Sequence, residues 1–348
     1  MKSGDASEIV RGHWYAALHA RDLPRGRPRS IVRLGERVVL FRDESGAPRA
    51  ALAACPHRGA DLGLGRVVDG ALECPYHGFR FGGAGTCVAM PCEGKEAKVP
   101  PRMRLSTRPV REAHGFVWLF AGDDALAART EIPWIAGAPD DGWDTAKAEL
   151  TWGARFSRVM EAMLDIHHLP FAHRTIMPTS RKRLDPYEAR IDDDGVIRTK
   201  GTLRRDDEPV DKGYVFQMDA RFPGVLHLRL SSSVGGVVVC TPIDEETTWI
   251  GARFVARVPV LSRIPFVSRL LAELALFSEL TLVQRDDERM IVSSWPRAGG
   301  TGEGQLVAAD QGMALWHAAR RRAIARALPV VDDARDRETE APRAEATL

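Results

Sequence analysis

The sequence predicts an α+β chain of two domains in series: an N-terminal all-β domain, then a domain in which helices cover an antiparallel sheet. Three observations predict it. The chain has 348 residues, more than the roughly 250 to 300 at which a single core stops growing. Residues 28–120 break into short alternating runs, SIVRL, RVVLFRD, ALAAC, ALECP and GFVWLF, with Gly, Pro and Asp between them, the pattern of short strands joined by tight turns. Beyond residue 125 the period changes to helical spacing at 155–166, strand-like runs from Glu188 to Ala256, and helical spacing again at 269–291 and 311–328. The expected boundaries are 1–125, 126–328 and a charged tail, 329–348, with too few large apolar groups to fold.

In chain order, His13, Trp14 and Tyr15 are expected to pack the N-terminal segment on the β domain, and Pro91, Pro100 and Pro101 mark a loop near that domain's end. The second domain opens with a strand at 144–152 and a helix whose apolar face is Phe156, Val159, Met160, Met163 and Leu164. At least five antiparallel strands follow. One helix over 269–291 is expected from the face made by Leu270, Leu271, Leu274, Phe277, Leu280 and Val283, and a last helix over 311–328 with Asp310 as its cap.

Composition excludes several function classes. Lys plus Arg number 49 against 47 Asp plus Glu, a formal charge of +2, so neither nucleic acid nor an anionic membrane is implied as a partner. The first 18 residues lack the apolar core of a signal peptide. The most apolar later stretch, 258–283, is interrupted by Arg263, Arg269, Glu273 and Glu279 and does not read as a span of about 20 apolar residues. Five cysteines in a chain this long fit a reducing cytoplasm, where thiols serve as ligands rather than staples.

The strongest motif is Cys55-Pro56-His57 followed by Cys74-Pro75-Tyr76-His77. Each half offers one thiolate and one imidazole from a Gly-flanked β loop, so two loops can clamp one metal centre. Structural zinc would accept this donor set, but its spacings pair Cys with Cys and His with His; a cluster with two cysteines on one iron and two histidines on the other suits the mixed order better. Cys87 and Cys92 have no partner histidine and read as buried thiols; Cys240 reads as core.

A second constellation lies in Glu161-Ala-Met-Leu-Asp165-Ile-His-His168-Leu-Pro-Phe-Ala-His173. Asp165 and His168, three apart, share a face of a continuous helix, whereas His168 and His173 lie about 140° apart around it. Pro170 is expected to break that helix and let His173 swing back. Two imidazoles and a carboxylate make the facial triad of non-haem Fe(II) oxygenases.

Together the segments CPHRGADLG, CPYHGFRF and Asp165-x-x-His168-x-x-x-x-His173 resemble the Rieske non-haem iron oxygenases over residues 10 to 325. The resemblance implies a Rieske [2Fe–2S] cluster on Cys55, His57, Cys74 and His77, and a mononuclear Fe(II) on His168 and His173. It makes Asp165 an electron-transfer bridge between subunits and His167 a bystander. The chain departs from many members at Ala162, where they carry Asn or Asp. The third iron ligand is expected in Gln284-Arg285-Asp286-Asp287, with Asp287 preferred because Met290 and Ile291 then fall at apolar positions, and Asp286 as the alternative. The implied function is that of a terminal oxygenase, more a monooxygenase than a dioxygenase. It would take electrons from NAD(P)H through a separate reductase, with or without a ferredoxin, and use O2 to hydroxylate or demethylate a small ring-containing molecule. The family further implies a homotrimer. The alternative is an electron carrier or binding protein whose second domain has lost its iron.

Other residues carry bland expectations. His114 reads as a strand-edge hydrogen-bonder, His227 as a side chain lining a pocket, His317 as a surface residue, and the Gly-rich 299–305 as a mobile loop rather than a phosphate site.

Overall fold

The computed structural model describes residues 7–327 except 95, 97, 141, 143–144, 175–179, 232–233, 257–264, 279, 281–282 and 301–304. The tail at 329–348 and the middle of the Gly-rich loop therefore lie outside the described residues.

The first half is all β. Trp14–His19, Phe116–Phe120 and Val110–Ala113 form a three-stranded sheet. A second sheet holds Arg29–Arg33, Glu36–Arg42, Pro48–Leu52 and Thr107–Arg108, and a third holds Arg66–Val68, Ala71–Glu73, Arg80–Phe81 and Cys87–Ala89. Short strands here follow from turns at every few residues; Leu34, Asp69 and His114 even take positive φ to make them.

The second half centres on a seven-stranded antiparallel sheet, in the spatial order Thr145–Trp152, Thr248–Ala256, Val234–Pro242, Val225–Arg229, Tyr214–Arg221, Val196–Arg204 and Arg183–Ile191. Six helices are described: α1 Asp124–Arg129, α2 Phe156–Leu164, α3 Leu169–Ala172, α4 Pro265–Ser278, α5 Gln284–Ser293 and α6 Gln311–Ala327. The period-2 alternation of the sheet decides its layers. Leu226, Leu228 and Val238 face the helices, in one core with Phe156, Val159 and Met160 of α2, Ala272 and Leu276 of α4 and Trp316 of α6. Val225, Val237, Val239 and Trp249 face the other way, against Trp14, Phe116, Trp118 and Phe120 of the β domain. The sheet is thus covered on both faces, by helices and by the first domain.

Several expectations are corrected. Tyr15 does not pack on the β domain but lies in the second domain's helical core, and His13 sets its ring edge-on to Phe222, 4.9 Å away. Alternation of side chains within one strand sends Trp14 and Tyr15 to opposite sides, so this strand ties the two domains together; Thr241 Oγ1 adds a 2.6 Å hydrogen bond to the Ala16 carbonyl. The helix expected over 269–291 is two helices, α4 and α5. Asp310 caps the turn before α6 by accepting from Val307 N at 2.8 Å, and α6 itself starts at Gln311.

Candidate metal centres and substrate cavity

The two Cys/His loops fold alike. In one, Cys55 N donates to Ala60 O (2.9 Å) and Gly59 N to Cys55 O (2.8 Å); in the other, Cys74 N donates to Phe79 O (2.8 Å) and Gly78 N to Cys74 O (3.0 Å). The fourth residue after each cysteine is a glycine at positive φ, +73° at Gly59 and +70° at Gly78, where a side chain would be strained. These matched turns bring His57 Nδ1 to 3.2 Å from His77 Nδ1. Cys55 and Cys74 are buried at 3% exposure each, while the histidines are half-exposed. Burial, with Cys74 alongside, pushes the Cys55 thiol up to about 11, so two adjacent thiolates need a cation beside them. An inner cysteine pair and an outer histidine pair fit a two-iron cluster with unlike ligands on its two irons. All five cysteines are free. Cys87 is buried as expected, but Cys92 is exposed.

The second site forms where α2 ends. Its helix stops at Leu164, and Asp165 is already extended (φ −80°, ψ 121°), so Asp165 and His168 do not share a helix face as expected. Pro170 does not break a helix either; it sits in the first turn of the new short helix α3, flanked by His168 and His173, where its missing N–H costs nothing. The separation of the two histidines by one helical turn, followed by the return at His173, sets their Nε2 atoms 3.2 Å apart. Asp287, in the first turn of α5, brings Oδ1 to 3.2 Å from His168 Nε2 and 3.1 Å from His173 Nε2. Edges of this length are those of three facial ligands roughly 2.2 Å from one ion, and the donor set fits a mononuclear Fe(II). Asp286 points elsewhere, its nearest approach being 3.8 Å from His173 Nδ1.

Asp165 lies behind His168, with Oδ2 3.4 Å from Nδ1 and Oδ1 accepting from His167 N at 2.7 Å. Burial alone would lower the His168 imidazole, but Asp165 and Asp287 outweigh it and hold it up at about 9. The same contacts outweigh burial at the two carboxylates and hold both below the usual range. A cation among the donors would take the proton's place.

Over these donors opens a cavity of about 320 Å³, walled by the sheet face and by α2, α4 and α5. A larger cavity of about 590 Å³, between His13 and α6, touches neither donor set. His227 alternates with Leu226 and Leu228, which line the site cavity, and so lies on the sheet's other face rather than in that pocket. His114 bonds Asp140 Oδ1 at 2.7 Å and stacks on Trp134.

Two buried anchors of the site went unread in the sequence. Glu8 accepts from Ser157 N and Ser157 Oγ at 2.8 Å each, so a carboxylate from the N-terminal segment satisfies the start of α2. Glu161 accepts from His317 Nε2 at 2.6 Å, Arg158 Nη1 at 2.7 Å and Gly300 N at 2.9 Å. His317 is therefore buried, at 6% exposure, and not a surface residue.

The Rieske [2Fe–2S] domain family matches residues 13–106. Among curated relatives, the chain is 36% identical over 239 residues to 4β-methylsterol monooxygenase of Methylococcus capsulatus, covering 64% of this chain and 63% of that protein. It is 33% identical over 166 residues to the oxygenase component of dicamba O-demethylase of Stenotrophomonas maltophilia, covering 48% of each. Both matches span less than two thirds of the relative's length. In fold it is similar to NdmA of Pseudomonas putida CBB5 with caffeine, at a TM-score of 0.73 and 23% identity over 92% of this chain and 95% of that one. Residues 13–106 thus form a domain of the Rieske [2Fe–2S] family, and the chain shares its fold with NdmA.

Proposed function

We propose that the chain is the terminal component of a Rieske monooxygenase, in which Cys55, His57, Cys74 and His77 hold a [2Fe–2S] cluster and His168, His173 and Asp287 hold a mononuclear Fe(II). The observation that carries this reading is the convergence of His168, His173 and Asp287 to 3.1–3.2 Å at the floor of a cavity, in a chain that also carries matched Cys/His loops. When bound, the two centres supply one-electron delivery and dioxygen activation. The protein's own groups do the rest. Asp287 and the two imidazoles fill one face of the site and leave the cavity side open to substrate. Asp165 orients the His168 ring and fixes which of its nitrogens carries the proton. The apolar walls exclude water, so that the site reacts with substrate in place rather than idly.

Electrons come from NAD(P)H through a separate reductase, with or without a ferredoxin. Relatives named as a monooxygenase and an O-demethylase component support hydroxylation or demethylation of a small molecule. A head-to-tail homotrimer closes its heterologous contacts and lets Asp165 bridge His168 to His77 of a neighbouring subunit. Leu64 and Tyr76, 77% and 60% exposed beside the cluster loops, suit burial by such a neighbour. Among the described residues no helix is long and apolar enough to cross a membrane; a cytoplasmic site of action is part of the proposal, in keeping with five free cysteines. The test is oxygen uptake by the purified chain with a surrogate reductase and NADH across a panel of small aromatic compounds. Uptake coupled to an oxygenated product is expected; a chain that reduces and reoxidises with no product from any compound would be an electron carrier.

A further inference from the structure

The cavity at the mononuclear site carries a charge pattern that bears on its substrate. Among its described lining residues there is no lysine and no arginine. Its ionisable groups are Asp165, Asp287, His168, His173 and Tyr214. The first four are turned to one another at the floor, and the Tyr214 hydroxyl donates to the Leu230 carbonyl at 3.0 Å. The walls above them are mostly apolar, with Met163, Phe216, Met218, Leu226 and Leu228 meeting whatever enters, and their polar members, Ser278 and Gln284, are neutral. This is unusual for a chain with 42 arginines and 7 lysines: cations are abundant in the sequence and absent from the described lining of this cavity.

A carboxylate or sulfonate entering here would leave water for a wall with no cation to receive it and would approach two aspartates. An isolated ionised group is the costliest thing to bury, and neighbouring like charge adds to the cost. An ammonium fares little better, because both carboxylates are already engaged by histidines and, with the ion in place, by its charge. The thioethers of Met163 and Met218 and the ring of Phe216 instead favour contact with an aromatic ring. The cavity's 320 Å³ stands at the small end of the range of about 300–1,000 Å³ for small-molecule sites.

We infer that the substrate is an uncharged, predominantly apolar molecule built on one or two rings, and that the site excludes aromatic acids. This rests on the oxygenase reading, since it takes the cavity as the substrate's place. The chemistry required of the substrate follows from the wall: a ring against the methionines and phenylalanine, and no substituent that carries charge at neutral pH.

The test is equilibrium binding of four probes of similar size, toluene, anisole, benzoate and benzylammonium, to the iron-loaded full chain by titration calorimetry. Toluene and anisole are expected to bind at least ~10-fold more tightly than either ion. Benzoate or benzylammonium binding as tightly as anisole, or no binding of the neutral pair, overturns the inference. Two variants that introduce a cation give an independent arm. Leu230→Lys and Ala275→Lys each put an ammonium at a half-buried wall position, and each should move the benzoate-to-anisole affinity ratio at least ~10-fold toward benzoate with the visible cluster spectrum unchanged. A ratio unmoved in both variants counts against an unpaired apolar wall. Preference for benzoate together with coupled oxygen uptake would remove the inference and keep the oxygenase. Neutral-probe preference with no turnover of any compound would remove the oxygenase reading and keep the charge selectivity.

Discussion

Replacing Glu161 by glutamine should loosen the helix that ends at the iron site, by an amount the contacts set. The carboxylate receives His317 Nε2, Arg158 Nη1 and Gly300 N within 2.6–2.9 Å, tying α2 to α6 and to the loop at 299–300. Its backbone carbonyl accepts from Asp165 N at 3.1 Å, so the same residue closes the turn into the site. Glutamine keeps the shape and one acceptor but turns an N–H group toward donors. A hydrogen bond to a charged group contributes about 1.5–3 kcal/mol, and breaking a buried pair costs about 3–5 kcal/mol when it strands the partner. Arg158 keeps the Pro296 carbonyl as acceptor, 3.0 Å from its Nε, so it is not stranded. The expected loss is therefore about 2–3 kcal/mol, or a Tm lower by roughly 5–10 °C for a domain of about 200 residues.

The loss has a pH signature. Burial raises the Glu161 carboxyl, but His317 and Arg158 outweigh it and hold it below its usual 4.5. A group with a depressed folded value contributes stability that is full above the unfolded value and lost as pH falls through the folded one. The gap between wild type and E161Q should be full at pH 7, begin to close near pH 4.5 and shrink further below it. Thermal unfolding followed by circular dichroism at pH 7.0, 5.5 and 4.0 measures this. Equal Tm values at pH 7, or a gap that grows toward pH 4, would refute the reasoning.

Asp165→Ala should keep the cluster spectrum and, because loss of an orienting partner costs roughly 10–100-fold in metal affinity, keep its iron at saturating metal while losing nearly all reoxidation of the reduced cluster in single-turnover stopped flow. Wild-type reoxidation would remove the bridging role, and outright loss of iron would make Asp165 a ligand. Gly65→Ala should lower cluster content per chain, since a Cβ there would sit 2.0 Å from the Glu73 carbonyl oxygen, next to Cys74; unchanged visible absorbance per chain contradicts this. Phe156→Ala, which empties a fully buried site between the Tyr15 and Trp316 rings, should cost about 3–5 kcal/mol; a loss under about 1 kcal/mol in chemical denaturation would mean the core there refills.

What was legible in the sequence was local. The cluster loops could be read because two rare residue types recur within a few positions of glycines that must take positive φ. The histidine pair could be read for the same reason, but its geometry could not. Asp165 leaves the helix, and nothing in its neighbourhood distinguishes a helix end from one more turn. The preference for Asp287 over Asp286 rested on apolar positions for Met290 and Ile291, yet Met290 is 49% exposed and α5 buries Gln284 instead; the break between α4 and α5 resets a phase that the continuous period of 269–291 concealed. Glu8 and Glu161 were invisible because their partners are remote, 156 residues away for His317; a single histidine on a helix face gives no sign of the carboxylate it will meet. Tyr15 was misplaced for a related reason: its strand belongs by pairing to one domain and by one of its faces to the other.

The central claim is that one chain holds two separate iron sites with no ligand in common. Counting iron and acid-labile sulfide in anaerobically purified protein, beside His173→Ala, tests it most directly. The account predicts three irons and two sulfides per chain in the wild type, and in the variant two irons with the sulfide and the EPR signal of the reduced cluster unchanged. Zinc in place of iron, or a variant that loses the cluster along with the third iron, would contradict it.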